Sequence, residues 1–72
     1  MIYYDRKYFG HKLHELRTER GLTRKQLAQI FDITDCTIGN YENGISLPGI
    51  EVFRAMCKYF KVSQKYFLKE EE

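Results

Sequence analysis

The chain has 72 residues, of which 43% are hydrophobic, 15% aromatic and 31% charged, with a formal net charge of +2. This length excludes two domains, a complete dinucleotide-binding fold and a barrel, and the aromatic content excludes a disordered tail. No apolar run approaches the roughly 20 residues that cross a bilayer, and residues 1–6 lack the pattern of a secretory signal. The two cysteines, Cys36 and Cys57, are too few for a disulfide framework or a CxxC-type zinc site. We therefore expect a small cytoplasmic domain with no membrane contact, no cofactor and no metal.

Two helices are predicted in the first half of the chain. The first follows Asp5, a suitable N-cap, and ends before Gly21, where a left-handed residue commonly closes a helix. Its apolar side chains recur at three- and four-residue spacing and predict one buried stripe: Tyr8, Phe9, Leu13 and Leu16. A second, short helix is predicted over about 24–31, because Thr23 and Gln26 have the spacing of a capping box.

Three more helices are predicted in the second half. One opens at Thr34, another N-cap residue type, and Asn43-Gly44 ends it. Only about three residues separate it from the second helix, which is typical of a helix-turn-helix corner. A fourth helix is predicted from Pro48, because proline favours the first turn. Its expected buried face comprises Ile50, Phe53, Met56, Cys57 and Phe60. Ser63 is expected to cap a last turn or two, so we predict an all-α fold of five short helices without strand alternation.

Three runs of residues carry a family resemblance. They are Leu16-Arg17-x-x-x-Gly21-Leu22-Thr23-x-x-Gln26-Leu27-Ala28, then Ile33-Thr34-x-x-Thr37-Ile38-x-x-Tyr41-Glu42-x-Gly44, and then Pro48 with Val62-Ser63. In order and spacing they resemble the lambda-repressor-like helix-turn-helix domain (Cro/CI-type, XRE family). We assign residues 1–8 to an N-terminal extension and the start of helix one, and 9–68 to this domain. The helix-turn-helix motif lies at about 23–42, and residues 69–72 form a frayed acidic tail.

The resemblance implies a compact five-helix domain whose third helix enters the major groove of double-stranded DNA while the second lies across the phosphates. It also implies a structural ion pair between Arg17 of the first helix and Glu42 at the end of the third. Base contacts are expected from short polar side chains on the exposed side of the third helix: Asp35, Cys36, Thr37 and Asn40. Phosphate contacts are expected from four residues: Arg24, Lys25, Asn43 and Gly44. Asp35 is equally suited to capping the third helix without contacting a base.

The charge distribution sets this chain apart from its relatives. Many family members carry Gln where Arg24 stands and Ser where Gly39 stands, and often several cations where residues 45–48 have none. Residues 21–44 hold two positive and three negative side chains, a net charge of −1. Because phosphate neutralisation drives much of DNA affinity, we expect weak binding by a monomer. A homodimer on a palindrome would double the contacts, with half-sites roughly 34 Å apart.

Other side chains allow two interpretations each. His11 and His14 have the spacing of an incidental two-ligand metal site, but a solvated helix face is the simpler interpretation because no third ligand completes it. Tyr59 and Tyr66 suit either a dimer surface or the edge of the core. The aromatic start at 2–4 is compatible with packing on the core or on a partner.

These observations predict a sequence-specific DNA-binding transcriptional regulator of bacterial or phage type, a repressor that binds a palindromic operator as a homodimer. The alternative is a protein–protein interaction module on the same fold, such as an antitoxin-like or anti-regulator partner, with weak or no DNA binding. The negative charge of residues 21–44 favours this alternative. An enzyme is not expected, because the sequence shows no nucleophile–base pair, Gly-rich phosphate loop or carboxylate pair.

Overall fold

The computed structural model describes residues 2–71, which form four α-helices, one 3-10 helix and two short strands. The α-helices are α1 (Arg6–Glu19), α2 (Arg24–Ile30), α3 (Asp35–Glu42) and α4 (Ile50–Phe60). The 3-10 helix spans Gln64–Phe67, and the strands are β1 (Ile2–Tyr3) and β2 (Lys69–Glu70). The predicted all-α class is confirmed, but the count of five helices is not, because the last one is a single 3-10 turn. None of the described helices is long and apolar enough to cross a membrane.

Side-chain caps fix where the first three helices begin. In each, an oxygen of the N-cap side chain accepts a hydrogen bond from the amide three residues later: Asp5 from Tyr8 at 2.9 Å, Thr23 from Gln26 at 3.1 Å and Thr34 from Thr37 at 3.1 Å. Gln26 completes the capping box, because its Oε1 accepts the amide of Thr23 at 2.9 Å. Each cap satisfies an amide that the helix itself leaves without an acceptor. The predicted caps at Asp5, Thr23 and Thr34 are confirmed, whereas Ser63 stands at the N-cap position of the 3-10 helix without a capping hydrogen bond from its side chain.

The start of α4 differs from the prediction. Pro48 is buried ahead of the helix, Gly49 is the N-cap, and Ile50 is the first helical residue. The fixed φ of proline suits an extended segment as well as a first helical turn, so proline alone does not locate the start. Ile50 was expected in the core but is 58% exposed, because the buried stripe of α4 begins one turn later, at Phe53.

Aromatic rings from distant parts of the chain build one end of the core. The ring of Phe67, in the 3-10 helix, lies 5.0 Å from that of Phe9 and 5.8 Å from that of Phe53. The ring of Tyr4 lies 5.0 Å from that of Phe53, so this member of the aromatic start packs on the core. The remaining side chains with no exposed surface are those of Leu13, Leu27, Ile38 and Met56.

Tyr59 and Tyr66, for which the sequence allowed either a dimer surface or the edge of the core, both pack at the edge of this core. The ring of Tyr59 lies 5.7 Å from that of Phe31, and the ring of Tyr66 lies 5.4 Å from that of Phe67. Tyr59 is 36% exposed and Tyr66 is partly buried. Ring contacts of this kind are sufficient to account for both residues without a partner chain.

The ends of the described chain pair with each other. β1 and β2 are antiparallel, with Ile2 opposite Glu70 and Tyr3 opposite Lys69. The expectation of a frayed tail is therefore wrong for residues 69 and 70. Strand pairing depends on a partner that is distant in sequence, and two-residue strands carry no periodicity that could predict it. Met1 of the predicted extension and Glu72 of the predicted tail lie outside the described residues.

Gly10 positions α1 against the end of α3. A Cβ added to Gly10 would meet the carbonyl oxygen of Tyr41 and would lie 2.7 Å from the carbonyl oxygen of Glu42. Only glycine allows two backbones to approach so closely. This contact fixes the last turn of α3 relative to α1 and thereby sets the orientation of the helix that carries the predicted DNA contacts.

Candidate nucleic-acid interface

One side of α3 is buried and the other is open. Ile38 and Tyr41 face the core and are 0% and 7% exposed. The open side forms a shallow groove with the start of α2, lined by Arg24, Asp35, Cys36, Gly39, Asn40 and Asn43. Three of the four predicted base-contacting residues therefore line one surface, together with two of the predicted phosphate-contacting residues. Thr37 is not among the residues that line this groove.

The polar side chains on this surface differ in whether they already form hydrogen bonds within the chain. Asp35, the first helical residue after the N-cap Thr34, accepts the amide of Cys36 on Oδ1 at 3.0 Å, and its side chain stays exposed. Thr37 Oγ1 lies 2.8 Å from the Oγ1 of the N-cap Thr34. The carboxamide of Asn40 has no hydrogen-bond partner within residues 2–71. Asn40 therefore offers an unoccupied donor and acceptor on this side of α3.

A buried carboxylate at the end of α3 collects charged partners from two other helices. The side chain of Glu42 is only 2% exposed. Arg17 Nε donates to its Oε2 at 2.6 Å and Arg17 Nη2 to its Oε1 at 3.0 Å. Arg24 Nε donates to the same Oε1 at 3.1 Å, and His14 Nδ1 lies 3.1 Å from it. The structure thus brings Arg17 and Glu42 together and adds two partners that the sequence analysis did not assign to this carboxylate.

Two opposing effects set the pKa of Glu42. Burial raises this pKa, whereas hydrogen bonds from Arg17, His14 and Arg24 lower it, and the net pKa lies below its ordinary value. The carboxylate is therefore ionised and compensated in the folded protein. Arg17 also donates from Nη1 to the carbonyl oxygen of Leu22 at 2.8 Å, so one guanidinium joins α1, the turn before α2 and the end of α3.

The first amides of the loop after α3 already donate hydrogen bonds within the chain. The amide of Gly44 donates to the carbonyl oxygen of Tyr41 at 3.2 Å. The next two amides, of Ile45 and Ser46, donate to the carbonyl oxygen of Asn40 at 2.9 and 3.4 Å. The turn that closes α3 thus uses the Gly44 amide, and a phosphate contact by Gly44, as predicted, would compete with this bond. Gly44 has a φ of 73° and forms that turn.

Cations reach this loop from α1. A Cβ added to Gly44 would lie 3.1 Å from Lys7 Cγ, and Arg6 Nη1 donates to the carbonyl oxygen of Ile45 at 3.4 Å. Arg6 and Lys7 are both exposed. Sequence reasoning missed them because Arg6 lies 39 positions from Ile45 and no local pattern connects the two segments. The loop that lacks its own Lys or Arg is therefore flanked by two cations.

The two histidines take separate partners. His11 Nε2 lies 2.8 Å from Glu15 Oε1 on the exposed face of α1, whereas His14 contacts Glu42. Between Ile2 and Glu71, no group of three His, Cys, Asp or Glu side chains could hold a metal ion. Cys36 is exposed in the α3 groove, and Cys57 is buried in the core.

A comparison with protein families identifies the fold. Residues 13–67 match the model of the helix-turn-helix family HTH_3, which is more than half of the chain. The chain belongs to this family. HTH_3 members are transcriptional regulators that bind DNA and are not enzymes.

Relatives of this HTH_3 domain include larger regulators. It is 34% identical over 64 residues to the HTH-type transcriptional activator BcrR of Enterococcus faecalis, which covers 89% of this chain and 31% of BcrR. A transcriptional regulator from Listeria innocua matches with a TM-score of 0.82 and 28% identity, over 89% of this chain and 61% of that one. The restriction-modification controller protein C.AhdI from Aeromonas hydrophila matches in fold, with a TM-score of 0.77, 24% identity, and coverage of 88% and 96%. This chain spans less than a third of the length of BcrR.

Proposed function

We propose that this HTH_3 domain binds double-stranded DNA with sequence specificity by inserting α3 into the major groove. The observation that carries the proposal is the open side of α3, where a groove lined by short polar side chains faces away from the core. A single α-helix fits the major groove, and polar side chains on its outer side can reach the base edges.

The base contacts are proposed for Asp35, Cys36, Thr37 and Asn40. Asn40 is the best-supported of the four, because its carboxamide forms no hydrogen bond within residues 2–71 and has the geometry to bond adenine N6 and N7. Asp35 keeps an exposed carboxylate that can accept from cytosine N4. Thr37 contributes its methyl group to a thymine contact, since its hydroxyl bonds Thr34. Cys36 acts as a small, neutral side chain against the bases.

The phosphate contacts are proposed for cations on both flanks of α3 and for the neutral side chain of Asn43. Lys25 is exposed beside the groove at the start of α2, and Asn43 is exposed at the end of α3. Arg6 and Lys7 add a cationic pair on the flank of Gly44 and Ile45. These residues make ionic contact possible although residues 21–44 carry a net charge of −1.

We further propose that the domain acts in the cytoplasm as a homodimer on a two-fold symmetric operator. Two copies double the small number of cations that one copy offers to the phosphates. Repression by occupying the operator is the simplest mode of action for such a domain. The relative BcrR is named an activator, so the direction of regulation is proposed for this chain and not carried over from that relative.

The test is selection from random duplex DNA at about 0.1 M salt, where phosphate contacts are weakened but not abolished. We expect enrichment of a two-fold symmetric motif with half-sites about 10 base pairs apart. Asn40→Ala should relax one position per half-site and weaken binding to the best site by about 1–3 kcal/mol. Lys25→Ala is the control, because loss of a phosphate contact weakens all sequences alike.

Failure of the selection has a specific meaning. If a folded, helical protein enriches no motif and its binding does not depend on salt, the DNA proposal is wrong. The interaction-module alternative then stands, and its partner is a protein that contacts α3.

A further inference from the structure

The side chain of Arg24 lies across α3 instead of pointing away from it. Its Nε donates to Glu42 Oε1 at 3.1 Å, one turn beyond Gly39 on α3. A Cβ added to Gly39 would lie 3.4 Å from Arg24 Nη1. The guanidinium therefore lies on the open side of α3, in the groove that Cys36 and Asn40 also line.

Glycine at position 39 leaves this space to the guanidinium. A glycine in the middle of a helix is about fivefold less favourable than alanine in equilibrium terms, so its presence there needs a reason. The distance of 3.4 Å means that a methyl group would just touch Arg24 Nη1. A side chain longer than Ala that points the same way would compete with the guanidinium for that position. The guanidinium of Arg24 therefore lies in the space that a side chain at position 39 would otherwise take.

Glu42 orients the guanidinium of Arg24 through the hydrogen bond that it accepts from Nε. The carboxylate is itself held by two hydrogen bonds from Arg17 and is 2% exposed, so the acceptor of Arg24 Nε is rigid. Within the part of the chain that the structure describes, Arg24 Nη1 and Nη2 have no acceptor. The side chain of Arg24 is 43% exposed. Two charged donors are thus presented side by side, already oriented, on the outer face of α3.

Two adjacent donors of this kind match the O6 and N7 acceptors of guanine, which lie side by side in the major groove. A phosphate also accepts two hydrogen bonds from arginine. The bond from Nε to Glu42 and the proximity of Nη1 to Gly39, however, place the guanidinium over the open side of α3 and not beyond its flank. In its observed position the guanidinium lies between α3 and whatever occupies the groove in front of it.

We propose that Arg24 reads a guanine in each half-site and is a specificity-determining residue, not the phosphate contact that its place at the start of α2 suggests. This proposal rests on the proposed DNA binding by α3. Orientation by Glu42 before binding reduces the ordering that the arginine side chain must undergo on the DNA.

The test compares the chain with Arg24→Lys and with Lys25→Ala in the same selection. Lysine keeps the positive charge but lacks the planar pair of donors. We expect Arg24→Lys to lose one guanine column from the motif while the other columns remain. Relative to the unaltered chain, the affinity of Arg24→Lys for the best site should fall about 5- to 150-fold. For the same site with that guanine replaced by another base, the two proteins should have equal affinity. Lys25→Ala should keep the guanine column.

A second measurement uses the unaltered protein, so it does not depend on whether a variant folds. Replacing the selected guanine by 7-deazaguanine removes the N7 acceptor. We expect this DNA to bind the unaltered protein more weakly, and Arg24→Lys to bind both DNAs equally. The proposal is overturned if Arg24→Lys retains the guanine column, or if it weakens all sequences by the same factor. If the unaltered protein selects no motif at all, the proposed DNA binding itself fails and this proposal falls with it.

Discussion

Replacing Arg17 by methionine should destabilise the fold strongly, because it leaves a buried carboxylate without its main partner. Methionine retains most of the aliphatic length but cannot donate to Glu42. Within residues 2–71, Oε2 of Glu42 then has no donor, while Oε1 keeps Arg24 and His14. The carbonyl oxygen of Leu22 also loses its bond to Arg17 Nη1.

The size of the effect follows from burial. Breaking a buried ion pair by removing one partner costs about 3–5 kcal/mol. We expect about 3 kcal/mol here, at the lower end of that range, because two other partners of the carboxylate remain. A chain of 72 residues has a free energy of unfolding of about 4–11 kcal/mol, so the loss is a large fraction of its stability. The melting temperature should fall by about 12–24 °C.

The assay is thermal and urea unfolding followed by far-ultraviolet circular dichroism at pH 7. Arg54→Met is the matched control, because Arg54 is exposed on α4 and has no ion pair or side-chain hydrogen bond with any residue in 2–71. This control should change stability by less than about 0.5 kcal/mol. Equal melting temperatures for the two variants would refute the role assigned to the Arg17–Glu42 pair.

The same pair predicts a pH dependence. Since folding lowers the pKa of Glu42 from its ordinary value of 4.5, the ionised carboxylate stabilises the fold above that value. This contribution is lost as the pH falls through the lower, folded pKa. The difference in stability between the unaltered chain and Arg17→Met should therefore narrow with acidification. A difference that widens instead would show that Glu42 is not the group that Arg17 stabilises.

Two further predictions concern the approach of helices to α3 and the cations beside it. Gly10→Ala should destabilise the fold by about 1–3 kcal/mol, because a Cβ there overlaps the end of α3. Gly39→Ala, with the same gain in helix propensity, should stabilise the fold by up to about 1 kcal/mol. Equal changes in the free energy of unfolding for Gly10→Ala and Gly39→Ala, measured by denaturant titration, would contradict the close approach of α1 to the end of α3. Arg6→Ala combined with Lys7→Ala should reduce the slope of log affinity against log salt by about 2 for each bound protomer, and so by about 4 for the homodimer. An unchanged slope would exclude these cations from the phosphate contacts.

The net charge of a sequence segment does not give the charge of the surface that the segment presents. Residues 21–44 have a net charge of −1, but one of their three negative side chains, Glu42, is buried and paired with Arg17 from another segment. Arg6 and Lys7 come to the same side of the molecule from α1. The surface that α3 presents is therefore less negative than the segment that contains it.

The amino-acid sequence by itself determined the beginnings of α1, α2 and α3 and the ends of α1 and α3. Each N-cap contact joins residues three positions apart, and the left-handed closing residues Gly21 and Gly44 lie next to the turns they form. Interactions this local are encoded within a short window of sequence. The same holds for the apolar periodicity that predicted the burial of Phe9, Leu13 and Leu16.

Only the tertiary structure decided which side chains meet around α3. The bonds from Arg24 and Arg17 to Glu42 span 18 and 25 positions, and that from Arg6 to Ile45 spans 39. Such contacts depend on how closely the helices approach, which the absence of a side chain at Gly10 sets. The pairing of Tyr3 with Lys69 likewise requires that the core first bring the two ends of the chain together. Local hydrogen bonds fix the helices, whereas packing between them fixes the site.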